Sequence, residues 1–236
     1  MPLSNRTLIV IQVRLDSRRL PAKAMLWTPS GPLFSVVALR AARGGKTVVV
    51  ATTDDTEGGL VARVAAARSL QVYQGSKDNV LSRFVGATES LDSNDIVVRL
   101  TADNLIPDDA LIDLCLRQMD EHQLDYLTTN VPGVPYGLSV ETFRRWILLA
   151  ADDAKLCESD KEHVTPWIAR NYASPGSEFQ PLGIDPAMNG LRVTIDEFDD
   201  YVTWLKVFSH RNELINVSWS DLLVDYYQSN APEVRK

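Results

Sequence analysis

The chain of 236 residues has only two cysteines, Cys115 and Cys157, and three histidines. Two thiols far apart in sequence cannot build a disulfide framework, and no CxxC or Cys/His spacing points to a structural zinc site. No run approaches the ~18 apolar residues needed to cross a bilayer, so no membrane span is expected. The N-terminal MPLSNRTLIV has neither a long apolar core nor a small-residue cleavage site, so no signal peptide is expected and the reading is cytoplasmic. Positive charge is also scarce: 24 Lys and Arg against 31 Asp and Glu give a formal net charge of −7. That balance opposes broad attraction to nucleic acid or an anionic membrane. There is no internal repeat, no low-complexity segment and no P-loop. Gly45-Lys46-Thr47 follows Arg40 where a P-loop needs glycine, and it precedes a strand instead of following one.

Against this background, one basic cluster stands out. Leu8, Ile9, Val10, Ile11 and Val13 form a nearly continuous apolar run, as in a strand buried on both faces. The run breaks into a segment with Arg14, Arg18, Arg19 and Lys23 within ten residues. Leu20-Pro21 stiffens the backbone between these cations. Open α/β sheets bind anionic ligands at the carboxyl ends of their strands, so the reading is a grip on a polyphosphate.

The rest of the pattern alternates. Further strands are expected at 48–51, 72–73, 96–100, 126–129 and 191–195. Helices are expected at 33–43, after 56, after a cap at Asp78, at 108–121, 159–171 and 198–209. The last ten residues read as frayed. Cys115 falls on the apolar stripe of the 108–121 helix. Trp146, Trp167 and Trp204 read as packing residues, and His122 and His210 as surface residues. This alternation predicts an α/β fold with a mostly parallel sheet covered by helices on both faces.

Two of the strands end on carboxylates. Arg99-Leu100-Thr101-Ala102-Asp103 and Arg192-Val193-Thr194-Ile195-Asp196 each place an aspartate at a strand terminus. Mg²⁺ bound with a nucleotide takes one or two carboxylates plus phosphate oxygens and water. Asp103 and Asp196 facing the basic loop would supply that set. Either alone also serves as an ordinary cap of the following helix.

At this point the residues resemble a family. RLDSRRLPAK (14–23) is similar to the R-x-G-S-x-R-L-P-x-K signature of CTP-dependent sugar-acid cytidylyltransferases. The likeness is greatest to the subgroup named for a spore-coat polysaccharide biosynthesis protein. Residues 75–84, 99–107, 136–143, 161–168 and 192–200 match further motifs of that subgroup in the same order. Asp16 stands where the first motif has glycine, and Ser139 where the fourth has a carboxylate.

The resemblance implies a Rossmann-like, GT-A-like nucleotidyltransferase fold, an α/β/α sandwich with a mixed, mostly parallel sheet. It implies one domain over residues 1–236, with a dimerisation and acceptor-side arm around 131–190. The implied reaction is Mg²⁺-dependent transfer of CMP from CTP to an acidic, sugar-like acceptor, with release of pyrophosphate, in surface-polysaccharide or related biosynthesis. By the same resemblance, Arg14, Ser17, Arg19 and Lys23 hold the triphosphate, and Ser76 and Arg83 belong to the nucleotide pocket. Asp103 and Asp196 carry the metal. Glu141, Glu162 and His163 face the acceptor, and the chain forms a homodimer. The competing readings are a nucleotide-sugar-dependent glycosyltransferase on the same sheet topology and a catalytically silent nucleotide-binding homologue.

Overall fold

The computed structural model describes residues 6–154 and 156–230, apart from the side chains of Glu158 and Glu162. The first apolar run forms β1 (Thr7–Gln12). A two-residue hairpin, β2 (Trp27–Thr28) and β3 (Gly31–Pro32), leads into α1 (Leu33–Ala41). Gly44 and Gly45, both at positive φ, end that helical segment, because a residue without Cβ enters the left-handed region without penalty. Then follow β4 (Thr47–Thr53), α2 (Thr56–Ala67), β5 (Gln71–Gly75), α3 (Val80–Ala87), β6 (Ile96–Thr101), α4 (Asp109–Glu121) and β7 (Tyr126–Thr128). The remainder is β8 (Glu141–Arg144), α5 (Arg145–Asp153), α6 (Glu158–His163), α7 (Thr165–Tyr172), α8 (Phe198–Phe208) and α9 (Trp219–Asn230).

The six long strands form one sheet in the order β5-β4-β1-β6-β8-β7. The pairs from β5 through β6 are parallel, and β8 runs antiparallel to both of its neighbours. Side chains alternate across this sheet, which divides the apolar residues into two cores. Ile9, Ile11, Val50, Val98 and Leu100 pack on one face with Phe34, Val61, Ile112 and Trp204. Leu8, Val10, Val49, Val97 and Phe143 pack on the other with Phe84, Ile147 and Ile168. The α/β sandwich with a mixed, mostly parallel sheet is therefore as the sequence predicts. No helix among the described residues is long and apolar enough to cross a membrane.

Local expectations are corrected in four places. Residues 191–195 form no strand; they make a single bridge from Arg192 to Tyr136, because their neighbours are loops and offer no ladder. The 159–171 helix is broken at Val164, whose φ of 64° ends α6 and starts α7. Asn79, rather than Asp78, caps α3, accepting from the Ser82 amide at 3.0 Å. The C-terminal stretch expected to fray is helical through Asn230, where Leu222, Leu223 and Tyr226 bury one face of α9; residues 231–236 lie outside the described residues.

Smaller readings hold. Cys115 is fully buried, Cys157 is exposed, and burial pushes the Cys115 thiol up. His122 and His210 are exposed. Trp204 is fully buried, while Trp146 and Trp167 pack against Tyr172 at ring distances of 5.2 and 5.7 Å.

Candidate active site

The basic loop leaves β1 at its carboxyl end and closes on itself. Ala22 donates to the Leu15 carbonyl at 2.8 Å, and Lys23 to that of Leu20 at 3.2 Å. Ala22 takes a left-handed conformation, φ 57°, before the short 3-10 turn that begins at Lys23. The turn directs the Lys23 ammonium inward, where it lies 2.5 Å from Asp103 Oδ2 and 2.7 Å from Asp196 Oδ1.

Asp103 follows β6 directly. The Thr101 hydroxyl donates to Asp103 Oδ1 at 2.6 Å, and Asn104 Nδ2 donates to that hydroxyl at 3.0 Å, which fixes the carboxylate's orientation. Its backbone carbonyl accepts from Ile195 N at 3.0 Å. This main-chain bond, with the bridge to Tyr136 and the bonds from Trp204 Nε1 to the Val193 carbonyl and from the Tyr226 hydroxyl to the Arg192 carbonyl, brings the distant 192–196 segment, and with it Asp196, to the end of β6. Asp196 is 6% exposed. Its Oδ2 is ion-paired with Arg192 and lies 3.1 Å from Arg19. Its amide donates to Asp200 Oδ2 at 2.8 Å, part of the box in which Glu197 and Asp200 cap α8.

Burial disfavours the Asp196 anion. The Lys23 hydrogen bond and the charges of Lys23, Arg19 and Arg192 outweigh burial and hold its carboxyl below the ordinary range. Burial likewise works against the Lys23 cation, and the two aspartates outweigh it and raise the lysine. Arg19 also lies 3.8 Å from Glu197 and Arg192 3.9 Å from Asp200, so these three cations are matched by four carboxylates. The basic loop adds Arg14 and Arg18 to the same cleft, and a polyphosphate is the complement of that loop's charge.

This cluster forms one end of a cleft of about 830 Å³. Of the residues singled out from sequence, Arg14, Ser17, Arg19, Lys23, Asp103, Asp196, Glu141 and His163 all line it. Its floor is the sheet face carrying Gln12, Arg99, Thr101, Glu141, Tyr126 and Thr128, which sit on neighbouring strands. Ser76 and Arg83 are not among the lining residues. Ser76 Oγ accepts from the Asn79 amide at 3.2 Å, and the fully buried Arg83 donates to the Ser76 carbonyl at 3.0 Å. Together they brace the loop between β5 and α3. The Glu162 side chain lies outside the described residues.

Among the described residues no group of three or more His, Cys, Asp or Glu is placed to hold a metal by itself. The donor set fits Mg²⁺ in another way. Two carboxylates from separate elements already converge on one cation, the Lys23 ammonium, and Mg²⁺ with a nucleotide needs few protein ligands because phosphates and water complete its shell. Asp103 and Asp196 are the residues that would hold it.

Sequence reading assigned no role to Arg192, Tyr136 or Asn104. Arg192 lies four residues before Asp196, pairs with it, and stacks 4.8 Å above the Tyr136 ring. The i, i+4 charge spacing was visible, but a predicted strand would have put Arg192 and Asp196 two pleats apart. The irregular backbone folds them together instead.

A family model described as cytidylyltransferase matches residues 8–216. The spore coat polysaccharide biosynthesis protein SpsF of Bacillus subtilis is 26% identical over 226 residues, covering 93% of each chain. Among solved structures, a cytidylyltransferase from Leptospira borgpetersenii serovar Hardjo-bovis superposes with a TM-score of 0.82 at 24% identity, covering 96% of this chain and 95% of that one. A CMP:2-keto-3-deoxy-manno-octonic acid synthetase complexed with CTP gives a TM-score of 0.59 at 18% identity, covering 87% of this chain and 98% of that one. At these identities the two structures speak for the shared nucleotidyltransferase fold.

Proposed function

The chain belongs to the cytidylyltransferase family, and from that premise we propose that it transfers CMP from CTP to a hydroxyl of an acidic, sugar-like acceptor in polysaccharide biosynthesis. The observation that carries this reading is the Lys23 ammonium held between Asp103 and Asp196 beneath a loop of arginines.

In this reaction the acceptor oxygen forms a bond to the α-phosphorus. The bond from that phosphorus to the oxygen bridging toward the β-phosphorus breaks, pyrophosphate leaves with both electrons, and the acceptor hydroxyl gives up its proton to water. Such transfers depend on positioning and charge neutralisation more than on covalent help from the protein. Arg14, Arg19 and Lys23 bind and neutralise the triphosphate, and Ser17 adds a hydroxyl to the same loop. Mg²⁺ held by Asp103 and Asp196 would neutralise charge that builds on the phosphates. The far half of the cleft, with Glu141 and His163, receives the acceptor and keeps its hydroxyl in line. Ser76 and Arg83 act from outside the cleft, holding the β5–α3 loop in place. In the same reading the protein is a homodimer with residues 131–146 at the interface, and gel filtration that shows only a monomer overturns that part.

The test is release of pyrophosphate from CTP in the presence of a panel of sugar acids and Mg²⁺. Activity is expected to disappear in Asp103→Ala and on chelation of the metal. Turnover that survives in Asp103→Ala overturns the metal assignment. Calorimetric preference for a UDP-sugar over CTP would favour the glycosyltransferase reading instead.

A further inference from the structure

Arg99 and Glu141 face each other across the β6–β8 ladder, on the floor of the cleft's acceptor half. They form an ion pair through Arg99 Nη1 and Glu141 Oε2, with both side chains 13% exposed. Arg99 Nη2 donates to Gln12 Oε1 at 3.1 Å. Arg99 Nε is buried and has no hydrogen-bond partner. The Nε atoms of Arg40, Arg68, Arg83 and Arg145 are in the same state; what sets Arg99 apart is that it lines the cleft.

Position adds to the argument. Arg99, Thr101 and Asp103 succeed one another at intervals of two, so Arg99 is on the same strand face as the hydroxyl that orients Asp103. Among the described lining residues beyond the basic loop, Arg99 and His163 are the two that can carry positive charge. A guanidinium presents a planar fork that matches a carboxylate in two-point geometry, which imidazole cannot.

We propose that Arg99 is the anchor for the acceptor's carboxylate, and that Glu141 covers this anchor until the acceptor displaces it. The Glu141 carboxylate stands in for the acceptor's own. Exchange of one carboxylate for another keeps the buried guanidinium compensated throughout, and the cost of the exchange falls on the displaced Glu141 carboxylate, which gives up its cation. Once displaced, Glu141 lies beside Tyr126 and Thr128 and can accept a hydrogen bond from an acceptor hydroxyl. Arg99 thereby makes the site selective for acids, and Glu141 sets how tightly an acid is held. The proposal rests on the reading of the cleft as a CMP-transfer site.

The experiment uses the full-length protein with Mg²⁺ and a CTP analogue carrying a methylene bridge between the α- and β-phosphorus, which blocks transfer. Calorimetry first measures binding of the analogue. Its failure to bind the wild type would overturn the CMP-transfer reading itself. The probes are 3-deoxy-manno-octulosonate, a nine-carbon 2-keto-3-deoxy sugar acid, and the uncharged amide of each. Glu141→Gln is expected to tighten binding of at least one acid fivefold or more and to leave its amide unchanged. Arg99→Lys is expected to weaken that acid tenfold or more, because lysine keeps the charge but loses the fork. Equal affinity of the acids across the three proteins overturns the proposal, as does absence of binding of both acids to all three. Thermal melting confirms that each variant is folded; if Arg99→Lys is not, the Glu141→Gln result decides alone.

Discussion

Lys77 Nζ stands 3.6 Å from Asp16 Oδ2, tying the basic loop after β1 to the loop after β5. Asp16 Oδ1 also lies 3.7 Å from Arg14 Nε, and Lys77 lies 3.2 Å from Asp55 Oδ2. The carboxylate that occupies the motif's glycine position is therefore flanked by cations at both oxygens. Its side chain is 35% exposed and that of Lys77 is 40% exposed, so solvent screens the pair and it adds little to stability.

Asp16→Gly is accordingly expected to leave the melting temperature nearly unchanged. Removing a negative charge beside the side chains proposed to bind the triphosphate is expected to tighten CTP about two- to fivefold, the equivalent of about 0.4–1 kcal/mol. Calorimetry with CTP and Mg²⁺ measures this. Weaker binding in the variant would show that Asp16 helps to shape the loop instead of opposing the phosphates.

Lys23→Met removes the ammonium shared by Asp103 and Asp196. Pyrophosphate release is expected to fall by about 10²-fold or more, the usual scale for loss of one preorganised electrostatic group. Mg²⁺ is expected to raise the melting temperature of the variant more than that of the wild type, because the ion can take the place of the missing cation between the carboxylates. An identical Mg²⁺ effect on both proteins would argue against metal binding at this pair.

The same cluster contributes to the pH range of stability. The Asp196 carboxyl is held below its ordinary value of 3.8, so its contribution is present above about pH 4 and is lost as pH falls through the depressed folded value. Lys23 is raised above its ordinary 10.5, so its contribution is complete below that value and is lost as pH rises through the higher folded one. The melting temperature is expected to form a plateau between these limits and to fall on both sides. In Lys23→Met the alkaline shoulder should diminish; an unchanged alkaline limb would assign that limb to other groups.

Arg40 supplies a test of the fold away from the cleft. It is fully buried and donates to the carbonyls of Leu214, of Val217 at 2.8 Å and of Ile106 at 2.7 Å. Burial pulls its pKa down to about 10, against the opposing pull of Asp108. Arg40→Met leaves these buried carbonyls without their charged donor and is expected to cost about 3 kcal/mol or more. Urea unfolding measures it, and a loss below ~1 kcal/mol would mean that water replaces the guanidinium.

The sequence by itself determined the parallel strands β1, β4, β5 and β6, the short β7, most of the helices between them and the basic loop after β1, but not β8. Each of these is written in short-range patterns: apolar runs for β1, β4 and β6, helical periodicity in α1 and α4, and four cations closely following β1. The ordered motifs also singled out the two aspartates that the fold brings to Lys23. What only the tertiary structure decided is how these pieces meet. The 191–195 segment looks like a strand because its residues alternate, yet it forms none, since a strand exists only where another strand offers a ladder. Arg83 carries a motif signature but is buried under a loop, because burial depends on what packs above a residue and not on its neighbours in the chain. Arg99 and Glu141 are 42 residues apart, and only the antiparallel register of β6 and β8 makes them partners. The convergence of Lys23, Asp103 and Asp196 spans 173 residues and is held by backbone bonds from the 191–195 segment to Asp103 and Tyr136. Local sequence fixes backbone preference; contacts across such separations are set by packing of the whole sheet.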